Sequence, residues 1–356
     1  MNLIYITTTF IINILTLLGI GTSNTTIGNY TYKNQSIYQG EIKHGKPNGY
    51  GTIDYIKGET YEGYVKKGDR EGYGTYYTPE GDTYMGNWSN DLRNGKGISY
   101  TKKNNKYEGH WLKDKRQGSG KMTYYNGDYY EGNWKNDMRS GKGTYNWKNG
   151  SKYEGNWLTD AKNGKGTLLW RNGSSYSGEW KDDKQEGKGT YKYANGDMYI
   201  GQWKKGMQEG QGIYTFASGE IYKGDFKHGQ RTGNGIYTNP NGNRYEGDFV
   251  DGYREGYGTL TTNTKAKYQG EWNNGFPEGQ GTQILIDGTT YIGTFLQGIW
   301  EGSGVIISPD SIRFEGTFKK GSKDGYFKEF NKKGELIREG KFSNGHLISE
   351  QKHQKK

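Results

Sequence analysis

The sequence has no cysteine, only 5 prolines among 356 residues and few aliphatic side chains. The lack of cysteine excludes a disulfide framework and any zinc site built on thiolates. Hydrophobic residues make up 30% of the chain and the mean hydropathy is -1.10, which excludes a thick aliphatic core. Aromatic residues nevertheless reach 15%, with 33 tyrosines, which is not typical of a disordered chain.

Charge of both signs is spread along the chain from Lys33 onward. Lysine and arginine number 49, aspartate and glutamate number 39, and the formal net charge is +10. Interspersed charges of opposite sign indicate a solvated surface laced with ion pairs. They argue against a platform for nucleic acid, and no nucleic-acid partner is expected.

The aromatic residues recur with a fixed period of 23 residues. A tyrosine opens each period from Tyr38 to Tyr291, and Phe314 takes the next place. A glycine follows two residues later, and in most periods a tryptophan or phenylalanine follows four residues later. A Gly-x-Gly pair then comes in register, without insertion or deletion over twelve periods. Such a period is the mark of a repeat architecture.

Within one period, alternation with a spacing of two residues predicts two strands. Large or small nonpolar residues alternate with polar ones from Tyr130 to Trp134 and again from Gly141 to Tyr145. Asn-Gly pairs such as Asn149-Gly150 predict tight turns between the repeats. The predicted fold is all-β: an elongated, single-layer, twisted antiparallel sheet of stacked 23-residue β-hairpin repeats. We expect tyrosine or tryptophan rings from adjacent strands to lie over the glycines.

The unit Tyr-Glu-Gly-x-Trp, followed by Gly-x-Gly-x-Tyr and a turn glycine, closely resembles the MORN repeat (membrane occupation and recognition nexus). The resemblance covers nearly all of the chain after residue 28, with about 13 copies. It implies a scaffold or tether with an aromatic groove for a partner helix, as at membrane–cytoskeleton junctions or in ciliary structures. Some relatives carry a lipid kinase or methyltransferase domain, and this sequence shows neither.

The pattern divides the chain into five parts. Residues 1–23 are a hydrophobic segment, residues 24–37 a capping strand, and residues 38–324 the repeat array. Residues 325–348 are interpreted as a degenerate C-terminal capping repeat, because Phe327 replaces the second glycine of its pair. Residues 349–356 form a basic tail.

The first segment leaves the location of the protein open. Residues 3–20 carry no charge, which fits a cleaved signal peptide, an uncleaved membrane anchor, or a strand or misassigned start. The basic repeats favour the cytoplasmic side of a membrane if the segment is an anchor. Glycosylation triplets at Asn24, Asn149 and Asn172 favour the alternative, a secreted or lumenal protein.

No motif in the sequence predicts catalysis, a cofactor or a metal site. The Gly-x-Gly pairs belong to the repeat and do not continue into a dinucleotide fingerprint, and neither a P-loop nor a nucleophile elbow occurs. The five histidines lack the spacing of metal ligands. We therefore predict no enzyme activity, no catalytic residues, no metal and no cofactor.

The predicted function is a non-catalytic scaffold that binds a protein partner, an amphipathic helix or a second copy of itself, through the aromatic stripe. The predicted contact residues are the central aromatics Tyr107, Trp111, Tyr130, Trp134, Tyr153, Trp157, Tyr176 and Trp180. One alternative is a phospholipid-binding module that regulates a lipid kinase in trans. Another is a secreted or surface array. The mixed charges of the loops indicate at most weak binding of acidic phospholipid.

Overall fold

Each 23-residue repeat folds into one β-hairpin. The computed structural model describes residues 25–353, and every regular element among them is a strand. This confirms the all-β prediction. Residues 1–23 and the acceptor Asn24 lie outside the described residues, as does the end of the basic tail, residues 354–356.

The chain divides into two compact units, the first ending at Lys148 and the second beginning at Asn149. The strands of the first unit are β1 Thr25–Thr31, β2 Ile37–Lys43, β3 Lys46–Asp54, β4 Thr60–Lys66, β5 Asp69–Tyr77, β6 Thr83–Ser89, β7 Leu92–Tyr100, β8 Lys106–Leu112, β9 Lys115–Thr123, β10 Tyr129–Lys135 and β11 Met138–Asn146. Within this unit, strands that are consecutive in the chain pair antiparallel, so that the unit is a continuous meander.

The second unit repeats this arrangement. Its strands are β12 Lys152–Leu158, β13 Ala161–Leu169, β14 Ser175–Lys181, β15 Lys184–Lys192, β16 Met198–Lys204, β17 Met207–Thr215, β18 Ile221–Lys227, β19 Gln230–Thr238, β20 Arg244–Val250, β21 Tyr253–Thr261, β22 Lys267–Asn273, β23 Phe276–Ile284, β24 Thr290–Leu296, β25 Ile299–Ile307, β26 Arg313–Lys319, β27 Ser322–Phe330, β28 Leu336–Ser343 and β29 His346–Lys352. Consecutive strands again pair antiparallel from β12 to β29. The predicted antiparallel sheet of hairpins is confirmed in each unit.

A two-residue turn closes each hairpin. We number the positions of a repeat from its opening tyrosine, so that Tyr222 is position 1, and the turn occupies positions 7 and 8. In that repeat these are His228 and Gly229, with φ of 50° and 84°. Two successive positive φ values define a turn whose twist matches that of the flanking strands. The polar stretch that the sequence shows between the two nonpolar segments is therefore mostly strand.

The first glycine of each Gly-x-Gly pair sits in a β-bulge. In the repeat that opens with Tyr199, this glycine is Gly210, at position 12, with φ of +63°. The pairing of β16 with β17 shifts between Gly201 and Gln202, opposite this residue. The second strand of the hairpin is thus longer than the first, and residues other than glycine rarely adopt the required conformation.

The second glycine of the pair is needed for a different reason. Gly212, at position 14, lies directly across from Gly201 in the sheet, and the ring of Tyr199 covers both. A Cβ atom added at Gly212 would lie 2.5 Å from Cε2 of that ring and 2.6 Å from its hydroxyl oxygen. The tyrosine comes from the same hairpin as the glycines it covers, not from an adjacent repeat. Its hydroxyl donates to the carbonyl oxygen of Gln202 at 3.0 Å.

The aromatic residue at position 5 connects one repeat to the preceding one. The ring of Trp203 meets Tyr199 of its own repeat and Tyr176 of the preceding repeat edge-on, with centroids 5.3 and 5.2 Å apart. Its indole N–H donates to the carbonyl oxygen of Gly189 at 3.3 Å. Edge-to-face pairs contribute about 0.5–1.5 kcal/mol beyond the burial of their area. The core is therefore a row of tyrosine and tryptophan or phenylalanine rings within each unit, except that Ile42 and Val65 occupy position 5 of the first two repeats.

A cation covers the tryptophan in several repeats. The guanidinium carbon of Arg116 lies 4.4 Å from the ring centroid of Trp134. The same guanidinium donates to the side-chain and main-chain oxygens of Asp137 at 3.2 and 2.7 Å. Equivalent ion pairs join Arg70 to Asp91, Arg93 to Asp114, and Lys162 to Asp183. We call this arrangement of cation, aspartate and tryptophan the clasp. It fixes the long side chain across the tryptophan and shields the ring from water.

Replacing Gly212 by alanine tests the tyrosine–glycine contact. Because the added methyl group collides with the ring of Tyr199, we expect Gly212→Ala to destabilise the protein by about 1–3 kcal/mol. Gly229→Asp is the matched control, because its Cβ meets nothing within 4 Å and Asp91 occupies the same repeat position with positive φ. Thermal unfolding followed by circular dichroism compares the two. Equal Tm values for both variants would contradict the packing explanation.

Candidate partner-binding surface

The eight aromatics of the predicted contact stripe lie in the core. Four belong to the first unit and four to the second: Tyr107, Trp111, Tyr130 and Trp134, and Tyr153, Trp157, Tyr176 and Trp180. None is more than 6% exposed. Their observed role is to cover glycines and to hold successive repeats together. A direct contact between these core rings and a partner stays a prediction. The more exposed residues that lie over the core rings are better placed to contact a partner.

Burial also governs the ionisation of the core tyrosines. It raises the pKa of the Tyr107, Tyr222 and Tyr291 hydroxyls from the ordinary 10.0 to about 12. Each hydroxyl donates to a main-chain carbonyl oxygen three residues further along, at 3.0 or 3.1 Å. These groups are hydrogen-bond donors held in a nonpolar layer.

A second set of aromatic rings is accessible in the second unit. They occupy positions 16 and 18 of successive repeats and are half-buried. We call them the outer aromatic row: Trp170, Tyr191, Tyr193, Tyr214, Phe216 and Tyr237. Position 16 lies one residue before the end of the second strand, on the face that carries the core rings, since Tyr191 lies directly across from Tyr176. Position 18 continues this face into the next turn.

The rings of the row contact one another without a break. Within a repeat, the centroids of Tyr191 and Tyr193 are 4.4 Å apart and those of Tyr214 and Phe216 are 4.6 Å apart. Between repeats, Trp170 lies 5.3 Å from Tyr191, and Tyr193 lies 5.8 Å from Tyr214. Phe216 reaches Tyr237 at 6.5 Å. The six rings thus form one aromatic surface.

Hydrogen bonds hold two of these rings in place. The Tyr214 hydroxyl donates to Oδ2 of Asp197 at 2.7 Å, and the other carboxylate oxygen accepts the main-chain N–H of Ala217. This N–H and the hydroxyl lower the pKa of Asp197, while burial and the carboxylate raise the pKa of Tyr214. The buried amide of Gln208 donates to the Tyr193 hydroxyl at 2.9 Å. The surface is therefore pre-organised, which reduces the entropy lost on binding.

Two arginines border the row at its C-terminal end. The guanidinium carbon of Arg231 lies 5.9 Å from the ring centroid of Phe216 and 6.0 Å from that of Tyr237. Arg254 lies 5.8 Å from the ring centroid of Tyr237. Arg231 is anchored by a hydrogen bond to the carbonyl oxygen of Gly252 at 2.9 Å. Aromatic and arginine side chains together are the residues most enriched among energetically dominant interface contacts.

Comparison among the repeats shows that the fold does not require these aromatics. Position 18 is Thr78, Thr101 or Thr262 in other repeats. The main-chain N–H of each threonine bonds to the carbonyl oxygen four residues ahead, as those of Tyr193 and Phe216 do. The turn is thus the same with either residue. A large half-exposed ring that the fold does not need indicates a contact with another molecule.

The first unit has related features on the same face. Tyr124, Tyr145 and Trp147 form a short row, with Tyr145 lying 5.9 Å from Tyr124 and 4.6 Å from Trp147. Nearer the start of the unit, a cavity of about 650 Å³ is lined by residues that include Arg70, Tyr76, Trp88, Arg93, Ser99 and Trp111. The cavity lies where Ser99 and Thr101 stand at positions 16 and 18 in place of the larger side chains of other repeats.

Sequence reasoning did not identify the outer aromatic row. The alternation that selected positions 1 and 5 stops before position 18, which lies beyond the end of the strand. A usable sequence signal exists, because position 18 is aromatic in five successive repeats from Tyr124 to Phe216 and is threonine or asparagine in the repeats on either side. The sequence contains this run, but only the structure shows that these rings remain accessible.

Two of the predicted glycosylation acceptors lie in exposed turns between hairpins. The side-chain oxygen of Asn149 accepts the N–H of Ser151 at 2.8 Å, and that of Asn172 accepts the N–H of Ser174 at 3.0 Å. Both asparagines are exposed. Their use as acceptors stays a prediction.

Metal binding and membrane crossing each require a particular arrangement of residues. Residues 25–353 contain no group of three or more histidine, aspartate or glutamate side chains that could hold a metal ion. No helix in that part of the chain is long and apolar enough to cross a membrane.

An alkaline titration tests the burial of the core tyrosines. Their folded pKa lies above the unfolded value, so the stability they contribute is fully present below pH 10.0 and is lost as the pH rises through about 12. We expect tyrosinate absorbance to rise in two phases, the second together with loss of the strand signal in circular dichroism. Ionisation of all tyrosines near pH 10 in a folded protein would contradict this prediction.

Comparisons with known proteins agree with the repeat and add little beyond it. No curated protein matches the chain. The TCP10 domain of Danio rerio CPAP shares 15% identity at a TM-score of 0.35, over 58% of this chain and 98% of that chain. The TCP domain of Drosophila melanogaster SAS-4, solved in complex with a proline rich motif of Ana2, shares 15% identity at a TM-score of 0.29, over 44% of this chain and 85% of that chain. Scores this low carry no argument about this protein.

The family model gives a clear result. The model described as MORN repeat matches twelve successive segments between residues 38 and 313. The hairpin of β26 and β27 continues the structural repeat beyond them, although Phe327 occupies the place of its second glycine. The matched segments cover well over half of the chain, and the chain belongs to the MORN-repeat family.

Proposed function

We propose that this protein is a non-catalytic scaffold that holds a protein partner on the outer aromatic row. The observation that carries the proposal is the run of half-exposed rings at position 18, where the fold accepts threonine equally well. Six contacting rings offer a large nonpolar area with little side-chain entropy to lose. The hydroxyl and guanidinium groups around them supply directional contacts.

An amphipathic helix of a partner protein is the occupant that we favour. Its nonpolar side chains would lie on the rings, and its polar face would remain in water. A second copy of the chain is the other occupant compatible with a nonpolar surface. Phospholipid headgroups fit this surface less well, because an acidic headgroup requires clustered cations, whereas the row has Arg231 and Arg254 only at one end.

We further propose that the protein acts at the cytoplasmic side of a membrane, within a membrane–cytoskeleton or ciliary structure. The support is the uncharged sequence of residues 3–20 followed by repeats of net positive charge. A secreted or lumenal location is the alternative, supported by the exposed acceptors Asn149 and Asn172.

Site-specific photocrosslinking tests the binding surface. Benzoylphenylalanine in place of Phe216 keeps the phenyl ring and extends it by a benzoyl group on the half-exposed face, so it should crosslink the partner in native cells to give one discrete adduct. The matched control carries the same group in place of Thr262, which occupies position 18 outside the row. Mass spectrometry of the adduct identifies the partner, and we expect no adduct from the control.

Binding of the identified partner is then measured with the variant Trp170→Thr/Phe216→Thr. Because threonine occurs at this position in other repeats, we expect Tm to change little while affinity falls at least about tenfold, or about 1.4 kcal/mol. Unchanged affinity, or equal adducts at Phe216 and Thr262, would contradict the proposal.

The location is tested by the mass and the N-terminus of the protein isolated from its native cell. We expect residues 3–20 to be retained and Asn149 and Asn172 to carry no glycan. A start near residues 22–24 together with added hexose mass would instead place the protein in the secretory route and overturn the cytoplasmic proposal.

A further inference from the structure

A second exposed nonpolar surface lies on the opposite face of the second unit, at the hairpin turns of three successive repeats. Five of the six residues at positions 6 and 9 of these repeats are nonpolar, the exception being Asn273. We call the five the nonpolar rim: Val250, Tyr253, Phe276, Leu296 and Ile299. Each is between 49% and 59% exposed. Val250 lies across from Tyr253, and Leu296 across from Ile299, so that the pairs form compact nonpolar patches.

The other repeats show that these side chains are not required by the fold. The same two positions hold Lys181 and Lys184 in one repeat, and Lys227 and Gln230 in another. They hold Lys319 and Ser322 directly after the rim. All of these residues flank the same two-residue turn. A nonpolar segment bounded by lysines on both sides therefore has a role other than closing the hairpin.

Carboxylates accompany the rim at a spacing of one repeat. Glu255 accepts the main-chain N–H of Asn274 at 2.9 Å, and Glu278 accepts that of Gln297 at 2.8 Å. Glu301 accepts the N–H of Lys320 in the same way at 2.8 Å. These bonds fix one carboxylate beside the turn of the following repeat, as Glu186 and Glu209 also do in repeats before the rim. Along the rim, negative charge thus alternates with nonpolar side chains.

The local charge is opposite to that of the whole protein. Residues 245–301 contain eight acidic and three basic residues, whereas the chain has a net charge of +10. An acidic surface disfavours the anionic surface of a membrane, and it repels the equally acidic rim of a second copy of the chain. It favours a partner segment that carries positive charge.

We infer that the nonpolar rim binds a basic amphipathic helix of a partner protein. The hairpin turns pair their main-chain groups internally, as at Val250 and Tyr253, so the rim offers no free strand edge. A helix suits such a surface because its own main chain is fully paired. Its nonpolar side chains contact the rim, and its lysines or arginines reach the row of Glu255, Glu278 and Glu301.

The spacing of the rim fits this occupant. Successive repeats are separated by two strands, or about 9.6 Å. Residues seven apart on a helix are separated by about 10.5 Å, so that one nonpolar side chain per two turns meets each repeat. A helix of about 14 residues spans the distance from Tyr253 to Ile299.

Two labelled peptides test the inference with the full chain. The first is the helix-forming peptide LKKLLKLLKKLLKL, and the second has glutamate at every lysine. We expect fluorescence anisotropy to show binding of the lysine peptide about tenfold tighter than that of the glutamate peptide, and to show that the binding weakens with added salt. Equal binding of the two peptides would overturn the inference.

Variants assign the binding to the rim. Phe276→Lys/Ile299→Lys restores the residue type found at Lys184 and should weaken binding of the lysine peptide about tenfold without unfolding the protein. Gln230→Lys, at the same repeat position outside the rim, is the control. It should change the affinity for the lysine peptide by less than about twofold. Loss of a dimer in Phe276→Lys/Ile299→Lys would assign the rim to a second copy and overturn the proposed partner, as would unchanged peptide binding.

Discussion

The contact between one tyrosine ring and a pair of facing glycines is the constraint on which every repeat depends. The ring of Tyr199 lies where side chains at Gly201 and Gly212 would otherwise stand, and its hydroxyl is satisfied by the carbonyl oxygen of Gln202. The glycines lose more conformational entropy on folding than other residues do. The buried ring offsets that cost with about 1.5–3 kcal/mol of hydrophobic stabilisation. Because the glycines contribute no side chain to the layer, residues at position 5 complete the core. Most of them are aromatic, Val65 being an exception, and an aromatic residue there meets position 1 of two repeats.

This constraint fixes only some positions of each repeat. The repeats can therefore be aligned with one another, and residues at equivalent positions can be compared within the one protein. Positions 1, 3, 12 and 14 are nearly uniform, since any change there disturbs the sheet. Position 18 varies from Thr262 to Phe216, and position 9 varies from Lys184 to Phe276, with the same backbone pairing on either side. A side chain that differs between structurally equivalent positions is not explained by the fold. Runs of such differences mark the outer aromatic row and the nonpolar rim.

The period, the hairpins and the aromatic–glycine face followed from the sequence because all three depend on residue spacing along one strand. The two-residue turn and the bulge did not follow, since the polar residues around His228 and Gly229 have no periodicity and the two glycines of a pair look alike. The clasp was missed although it has a pattern: Asp91, Asp114 and Asp137 each come 21 residues after an arginine. The outer aromatic row was not predicted for a different reason. Tyr130 and Tyr193 are the same residue type, and only packing decides which one is covered.

The charges of the two surfaces make them suited to different partners. The outer aromatic row is bordered by Arg231 and Arg254, whereas the nonpolar rim is accompanied by Glu255, Glu278 and Glu301. A helix with acidic flanks is attracted to the first surface and repelled by the second, and a basic helix behaves in the opposite way. The two surfaces lie on opposite faces of consecutive repeats, so one occupant does not block the other. If both surfaces bind as we propose, a single unit of this array has the minimum that a scaffold requires, which is two separate surfaces that distinguish their partners by charge.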